Sequence, residues 1–195
     1  MILLTAIAAG MLTGMGYARW SGRTWHSPVF RAVWLVFLGF LPQLTAVYLP
    51  FTRDWASDEL ASAGLVWSQA ILLLFTLINF KVPGMPVLAV GLAFNLTAIL
   101  ANGGFMPLPF ETAQKFVDPN ILSTLETGRR ISNASKDILL AESNIVLPWL
   151  SDRFVSPAII PYRFAFSLGD IFVATGAFWM CLGIQPVRAH KSGDS

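Results

Sequence analysis

The chain has 195 residues, of which 55% are hydrophobic and only 12% charged, about half the charged share of a soluble domain. The net charge is only +2, and no basic stretch is interleaved with aromatics, which argues against a nucleic-acid partner. A lone Cys181 rules out an internal disulfide or a multi-cysteine metal site, and the only histidines, His26 and His190, lie outside the apolar runs, so no metal or cofactor is expected.

Mean hydropathy is +0.62, and the apolar residues fall in blocks long enough to cross a bilayer, which takes about 20 helical residues. The expected class is all-α: a polytopic membrane bundle of about five transmembrane helices, forming a single domain over residues 1–195, with a helical extracytoplasmic connection before the last span. The first span is residues 2–17. No charge precedes it, and Arg19 and Arg23 follow, so it reads as a retained helix, with a cleaved signal as the alternative. Gly10 and Gly14 form a small-xxx-small pair suited to close helix packing.

The second span is residues 32–51, with Pro42 expected to kink it. The third is residues 60–80. The fourth is residues 84–101, opening at Pro83 to Pro86, where proline suits a helix start. Residues 103–162 are too polar to span and too long to lack structure. Asp118-Pro119 predicts a helix start, with Ile121, Leu122 and Leu125 at helical spacing and Gly128 as the stop. A second short helix is expected over residues 132–142, with Ile138 and Leu139 on its apolar side. Residues 145–150 should lie at the membrane interface. Asn133-Ala134-Ser135 fits a glycosylation acceptor, a triplet frequent by chance. The fifth span is residues 164–184. Most tryptophans fall at or beside the ends of these runs, where amphipathic rings settle: Trp20, Trp34, Trp55, Trp67, Trp149 and Trp179.

Basic residues set the orientation. Arg19, Arg23, His26 and Arg31 fall in the first connection, Lys81 in the third, and Arg188, His190 and Lys191 in the tail. Five spans place all three on one side. Asp54, Asp58 and Glu59 fall on the other, with the mixed long connection. The expected topology is a multi-pass plasma-membrane protein with its N-terminus outside and its C-terminus cytoplasmic.

Polar side chains at membrane depth are costly and usually face the bundle interior. Asp170 is the leading candidate, about two turns into the fifth span. Gly169, Gly176 and Gly183 recur every seven residues beside it, making one face of that helix narrow. Ser167 is placed to hydrogen-bond it. Asn95 and Asn102 share a face of the fourth helix, and Asn102-Gly103-Gly104 breaks that helix at the outer surface. Gln43, Gln69 and Asn79 complete the set. Amides of this kind often do no more than join helices, at about 0.6 kcal/mol each.

The first helix with its arginines, Gln43, Asn79, Asn95, the Asn102-Gly103-Gly104-Phe105-Met106-Pro107 turn, and Ser167-Leu168-Gly169-Asp170 with Gly176 resemble one bacterial membrane-protein family, domain of unknown function 5317. That resemblance covers nearly the whole chain and implies a bacterial plasma-membrane protein with no activity to carry over. A much fainter similarity is to lipoprotein signal peptidase, a membrane aspartyl peptidase. Asn102-Gly103-Gly104, Asp152-Arg153 and Ser167-Leu168-Gly169-Asp170 look like its motifs in order, and the likeness implies Asp170 and Asp152 as a catalytic pair. Asp152 lacks the preceding Gly-Asn of that family, and the chain has an extra span. Three readings stand. The first is a non-enzymatic bundle binding lipid, a small solute or a membrane-protein partner. The second is an intramembrane aspartyl hydrolase in which two carboxylates share a proton. The third is a small proton- or cation-coupled transporter.

Overall fold

A computed structural model describes residues 2–45, 49–53, 57–160 and 162–183. Asp54, Arg188, His190 and Lys191 of the topology expectation, and Trp55 of the interfacial tryptophans, lie outside the described residues. The fold is mostly helical, with a few short strands.

Helix α1 (Ile2–Trp20) buries only Gly10, Gly14 and Ala18. Helix α2 (Trp34–Gln43) carries Pro42 in its last turn, and the rest of the expected second span runs through residues 46–48, which lie outside the described residues. After the short α3 (Pro50–Arg53) comes α4 (Asp58–Ile78). Ser57 caps α4 by accepting from Leu60 N at 3.3 Å, and Asp58 and Glu59 sit on the positive end of its dipole. Helix α5 (Met85–Ala101) begins after Gly84, whose φ of 88° makes the tight entry. Helix α8 (Leu168–Cys181) comes last, after a long insertion. Of these, α1 and α4 are long and apolar enough to cross a membrane; α2, α5 and α8 are shorter apolar helices.

The principal helix contacts run α1 to α8, α8 to α5, α5 to α4 and α4 to α2. Glycine sets the closest of them. A Cβ on Gly91 would lie 2.5 Å from Gly169 O, and one on Gly176 would lie 2.5 Å from Leu88 N. A Cβ on Gly10 would lie 2.5 Å from Phe178 O. The predicted small-residue strips are therefore crossing points where backbones touch.

The insertion forms a cap over one end of this helix row. Met106–Pro109 (β1) pairs in parallel with Asp137–Leu140 (β2). Between them lie Phe110–Ala113 (α6) and Pro119–Leu122 (α7). Leu108, Ala113, Leu122 and Leu139 make a small core of their own. Short 3₁₀ turns at Glu142–Asn144 and Pro148–Leu150 follow. A hairpin of Phe154–Val155 (β3) and Ala165–Phe166 (β4) then leads into α8.

This corrects three expectations. The helix expected over residues 132–142 is strand β2, because Ile138 and Leu139 take ladder partners on β1. The helix opened by Asp118 lasts a single turn; Gly128 is left-handed as expected (φ 92°), but its N–H bonds Leu139 O at 2.7 Å and closes a loop, not a helix. The connection is thus a mixed cap, not a helical one. The last helix starts at Leu168, since Ala165 and Phe166 belong to the hairpin.

Candidate functional site: a polar junction and an apolar groove

Two asparagines cap helices at opposite ends of the row and use the same device. Asn79, the C-cap of α4, accepts from Arg31 N at 2.7 Å and donates to Arg31 O at 3.0 Å. Asn102, the C-cap of α5, accepts from Val146 N at 2.9 Å and donates to Val146 O at 2.9 Å. Each clamps both polar groups of a distant residue. In each case the next residue is a non-glycine in the left-handed region: Ala32 (φ 53°) and Leu147 (φ 61°). Such a residue costs roughly 1–2 kcal/mol, which the two charge-free hydrogen bonds offset. Beyond Asn102, Gly103 and Gly104 have φ of 75° and 87°, and Gly104 N donates to Ile99 O at 2.8 Å, closing α5. Gln43 accepts from Ser68 Oγ at 3.0 Å, joining α2 to α4.

Asn95, Ser167 and Asp170 form one network between α5 and α8. Ser167 is the N-cap of α8 and Asp170 its third residue, in a reciprocal capping box: Asp170 N donates to Ser167 Oγ at 3.0 Å, and Ser167 N donates to Asp170 Oδ2 at 3.1 Å. Asn95 Nδ2 donates to Asp170 Oδ1 at 2.9 Å, and Ser167 Oγ donates to Asn95 Oδ1 at 2.9 Å. Gly169 leaves the space for this; a Cβ there would fall 2.0 Å from Asn95 Oδ1. Asp170 thus sits in the first turn of α8, not two turns in, and both of its oxygens are occupied.

Beside it lies an ion pair that sequence reasoning half missed. Asp152 is fully buried, and Lys136 Nζ donates to its Oδ2 at 2.5 Å and to Asp137 Oδ1 at 2.9 Å. Asp152 Oδ1 has no partner among the described residues. Burial pushes the Asp152 carboxyl well above the usual carboxylate range, opposed by Lys136 and reinforced by Asp137 and Asp170. For Lys136, burial works against the charged form, but Asp137, Asp152 and Asp170 outweigh it and raise its pKa above the ordinary lysine value. A second cation, Arg130, is buried under the cap. It bonds Asp58 at 3.2 Å and Ser135 O at 2.9 Å, and stacks over the Phe105 ring at 5.2 Å. No local signal marks either cation, because Asp152 and Asp58 are 16 and 72 residues away from them.

The other concave feature is apolar. A cavity of about 310 Å³ is lined by residues of both α1 and α2, the two ends of the helix row. Leu3 and Ile7 of α1 form one rim, and Phe30, Val33 and Val36 the other. Its floor is Leu72, Phe75, Met85, Leu88, Val173 and Met180, from α4, α5 and α8. Thr76, its one lining hydroxyl, is turned back onto Leu73 O at 2.7 Å.

A family model matches residues 28–182, which take in the polar junction and most of the groove. The chain belongs to DUF5317, a family of unknown function. No curated protein and no solved structure matches it. The comparisons thus support the first of the two resemblances, and nothing in them supports the likeness to lipoprotein signal peptidase. Within the DUF5317 segment the structure brings together Asn95, Ser167 and Asp170, sets Asp152 with Lys136 inside Asp170's electrostatic reach, and leaves Gln43, Asn79 and Asn102 as separate helix-end contacts.

Proposed function

We propose that this DUF5317 protein is a non-enzymatic, five-span membrane protein that holds lipid hydrocarbon in the groove between α1 and α2. The groove carries the reading. Its walls offer an occupant no polar partner, so only apolar chemistry is favoured there. At the depth of the spans, the abundant apolar chain is a phospholipid acyl tail.

The helix surfaces support the membrane as solvent. Only 17% of the apolar window of α1 and 33% of that of α4 is buried, where a soluble core helix would be mostly buried. Leu12, Trp34, Phe37, Leu60 and Leu100 all stand exposed around the row. Helix direction supports five spans. Asn95 in the second half of α5 meets the start of α8, and Gly39 and Pro42 of α2 meet Ile71 and Gly64 of α4 in that order, so both pairs run antiparallel. Gly14, late in α1, meets Leu182 at the end of α8. Neighbouring ends then carry the first connection on one side and the cap on the other. Arg19, Arg23, His26, Arg31 and Lys81 gather at the end opposite the cap, which makes that end cytoplasmic. The shorter helices α2, α5 and α8 require the bilayer to thin locally or the flanking loops to dip into the interface.

The aspartyl-hydrolase alternative receives less from the geometry. A proton-sharing pair needs two carboxylates in direct contact, whereas Asp152 is bonded to Lys136 and both oxygens of Asp170 are taken by Asn95 and Ser167. A proton- or cation-coupled transporter has one observation in its favour, the unpartnered and buried Asp152 Oδ1.

Two measurements test the proposal. Native mass spectrometry after gentle detergent extraction should find phospholipid retained, and Val36→Trp with Leu72→Trp, which fill the groove, should lose it. Retention that ignores both tryptophans would remove the groove as the site. Single cysteines at Arg23 and Lys81, in a Cys181→Ala background, should be shielded from an impermeant thiol reagent in intact cells, while one at Asn133 reacts. Labelling of all three from the same side would overturn the orientation.

A further inference from the structure

Between the cap and α8, the hairpin of β3 and β4 carries a tip at which Ile159 and Tyr162 stand uncovered among the described residues. Ser156, almost fully buried, ties its base: Ser156 N donates to Phe164 O at 3.0 Å, and Ser156 Oγ accepts from Phe164 N at 3.1 Å. Phe154 and Phe166 stack across the strands at 5.6 Å. The frame is therefore built, yet the tip is apolar and open, with Ile159 90% and Tyr162 72% exposed. Leaving an isoleucine this bare in water forgoes most of the stabilisation its burial would bring. Arg163 adjoins the tip and Arg153 stands at the foot of β3, both exposed and without an ion pair among the described residues.

Beneath the tip lies a second apolar hollow of about 290 Å³. Pro157 and Ile160 of the hairpin form its roof, with Ile2 of α1 and Ile171 and Thr175 of α8 below. It is thus continuous with the sides of α1 and α8, at the end of those helices that carries the cap. Thr175 Oγ1 is occupied by Ile171 O at 2.8 Å, leaving the hollow effectively hydrocarbon.

We propose that this hairpin is a membrane-inserting element: its tip enters the outer leaflet, an acyl chain fills the hollow beneath it, and Arg153 and Arg163 receive lipid phosphates. The inference rests on the membrane-spanning reading of α1 and α8. The occupant is phospholipid because the pattern is a bare apolar tip with one unpaired guanidinium beside it and another at the foot of its strand. Arginine pairs with phosphate through two parallel N–H donors, and tyrosine suits the headgroup level. The hollow is distinct from the groove between α1 and α2.

The test uses the whole chain in nanodiscs with Cys181→Ala. A polarity-sensitive fluorophore is placed singly at Ile159→Cys, Tyr162→Cys, Leu12→Cys or Asn133→Cys. Emission at positions 159 and 162 should be blue-shifted relative to 133, and brominated phospholipid should quench both, as it quenches position 12. Quenching at 159 and 162 that is lost when Arg153→Gln and Arg163→Gln are combined would assign phosphate contact to the arginines. Water-like, unquenched emission at both tip positions with normal quenching at 12 overturns the hairpin proposal alone, and points to a protein partner for the tip. Loss of quenching at 12 as well overturns the membrane-spanning reading itself.

Discussion

Replacing Lys136 with methionine should lower the stability of the cap by about 3 kcal/mol, near the bottom of the range for breaking a buried ion pair from one side. Asp152 is fully buried, and removing Lys136 leaves it with no partner for either oxygen. The lower end applies because the Lys136 side chain is itself 34% exposed, so water already screens part of the attraction. The loss is expected in protease resistance and hydrogen exchange of residues 104–166, with α4 and α5 less affected. The double variant Lys136→Met with Asp152→Leu should recover most of it, since an apolar pair of similar volume avoids the desolvation cost altogether. If the single and double variants were equally unstable, packing and not charge would be the cause.

The pH dependence has a fixed sign. Burial raises the Asp152 pKa in the folded chain, so the fold binds more protons than the unfolded chain above the usual value of 3.8. Its contribution therefore falls as pH climbs from there through the raised value. The Lys136 pKa is raised above 10.5, so its contribution is complete below that value and is lost as pH passes the raised one. Both slopes are negative with rising pH. Asp152→Asn should flatten the acid-side slope and also weaken the alkaline one, because Asp152 is one of the carboxylates that raise the Lys136 pKa.

Reading the sequence reached the helices more easily than the cap, and the reason is range. Ser57 before Asp58-Glu59, proline after Gly84 and the Asn102-Gly103-Gly104 stop are local devices, and they mark α4 and α5 within a residue or two. The sequence singles out Ser167-Leu168-Gly169-Asp170 for its acid at membrane depth, and the structure makes the same four residues a capping box, complete within one turn. The cap is held by partners far apart. Asp137–Leu140 becomes a strand only because Met106–Pro109 lies alongside in parallel, and a four-residue apolar run cannot declare that by itself. The start of α8 moved for a similar reason. Residues 164–166 are as apolar as the helix that follows, so hydropathy runs straight through, and only the pairing of Ala165 and Phe166 with β3 stops the helix at Ser167. The sequence turns both Asn95 and Asp170 inward without pairing them; that they meet, 75 residues apart, is set by the crossing of α5 and α8. Lys136 and Arg130 were invisible because charged residues in a polar segment look like solvated surface until tertiary structure closes over them.

Adding one methyl group at Gly91 or Gly176 should separate α5 from α8, while the same change at Gly16 should do no harm. A Cβ on Gly16 meets nothing within 4 Å, so Gly16→Ala should be neutral or gain up to roughly 1 kcal/mol from helix propensity. A Cβ on Gly91 would lie 2.5 Å from Gly169 O and 2.6 Å from Val173 N, both backbone atoms that cannot rotate away. The helices must move apart, at a cost of roughly 1–3 kcal/mol or more per site. Gly176→Ala meets Leu88 N at 2.5 Å and Gly84 O at 2.7 Å and should behave alike. The polar junction gives the effect a reach beyond packing. Asn95 lies one turn beyond Gly91, and its 2.9 Å bond to Asp170 exists only while the two axes stay close. Separation strips Asp170 Oδ1 of its donor and leaves the capping box to hold α8 alone. Thermal unfolding in detergent should therefore show Gly91→Ala and Gly176→Ala well below wild type. Asn95→Ala combined with Gly91→Ala should be scarcely worse than Gly91→Ala, because the bond is already lost. Full additivity of that pair would show that the junction holds without the close glycine crossing.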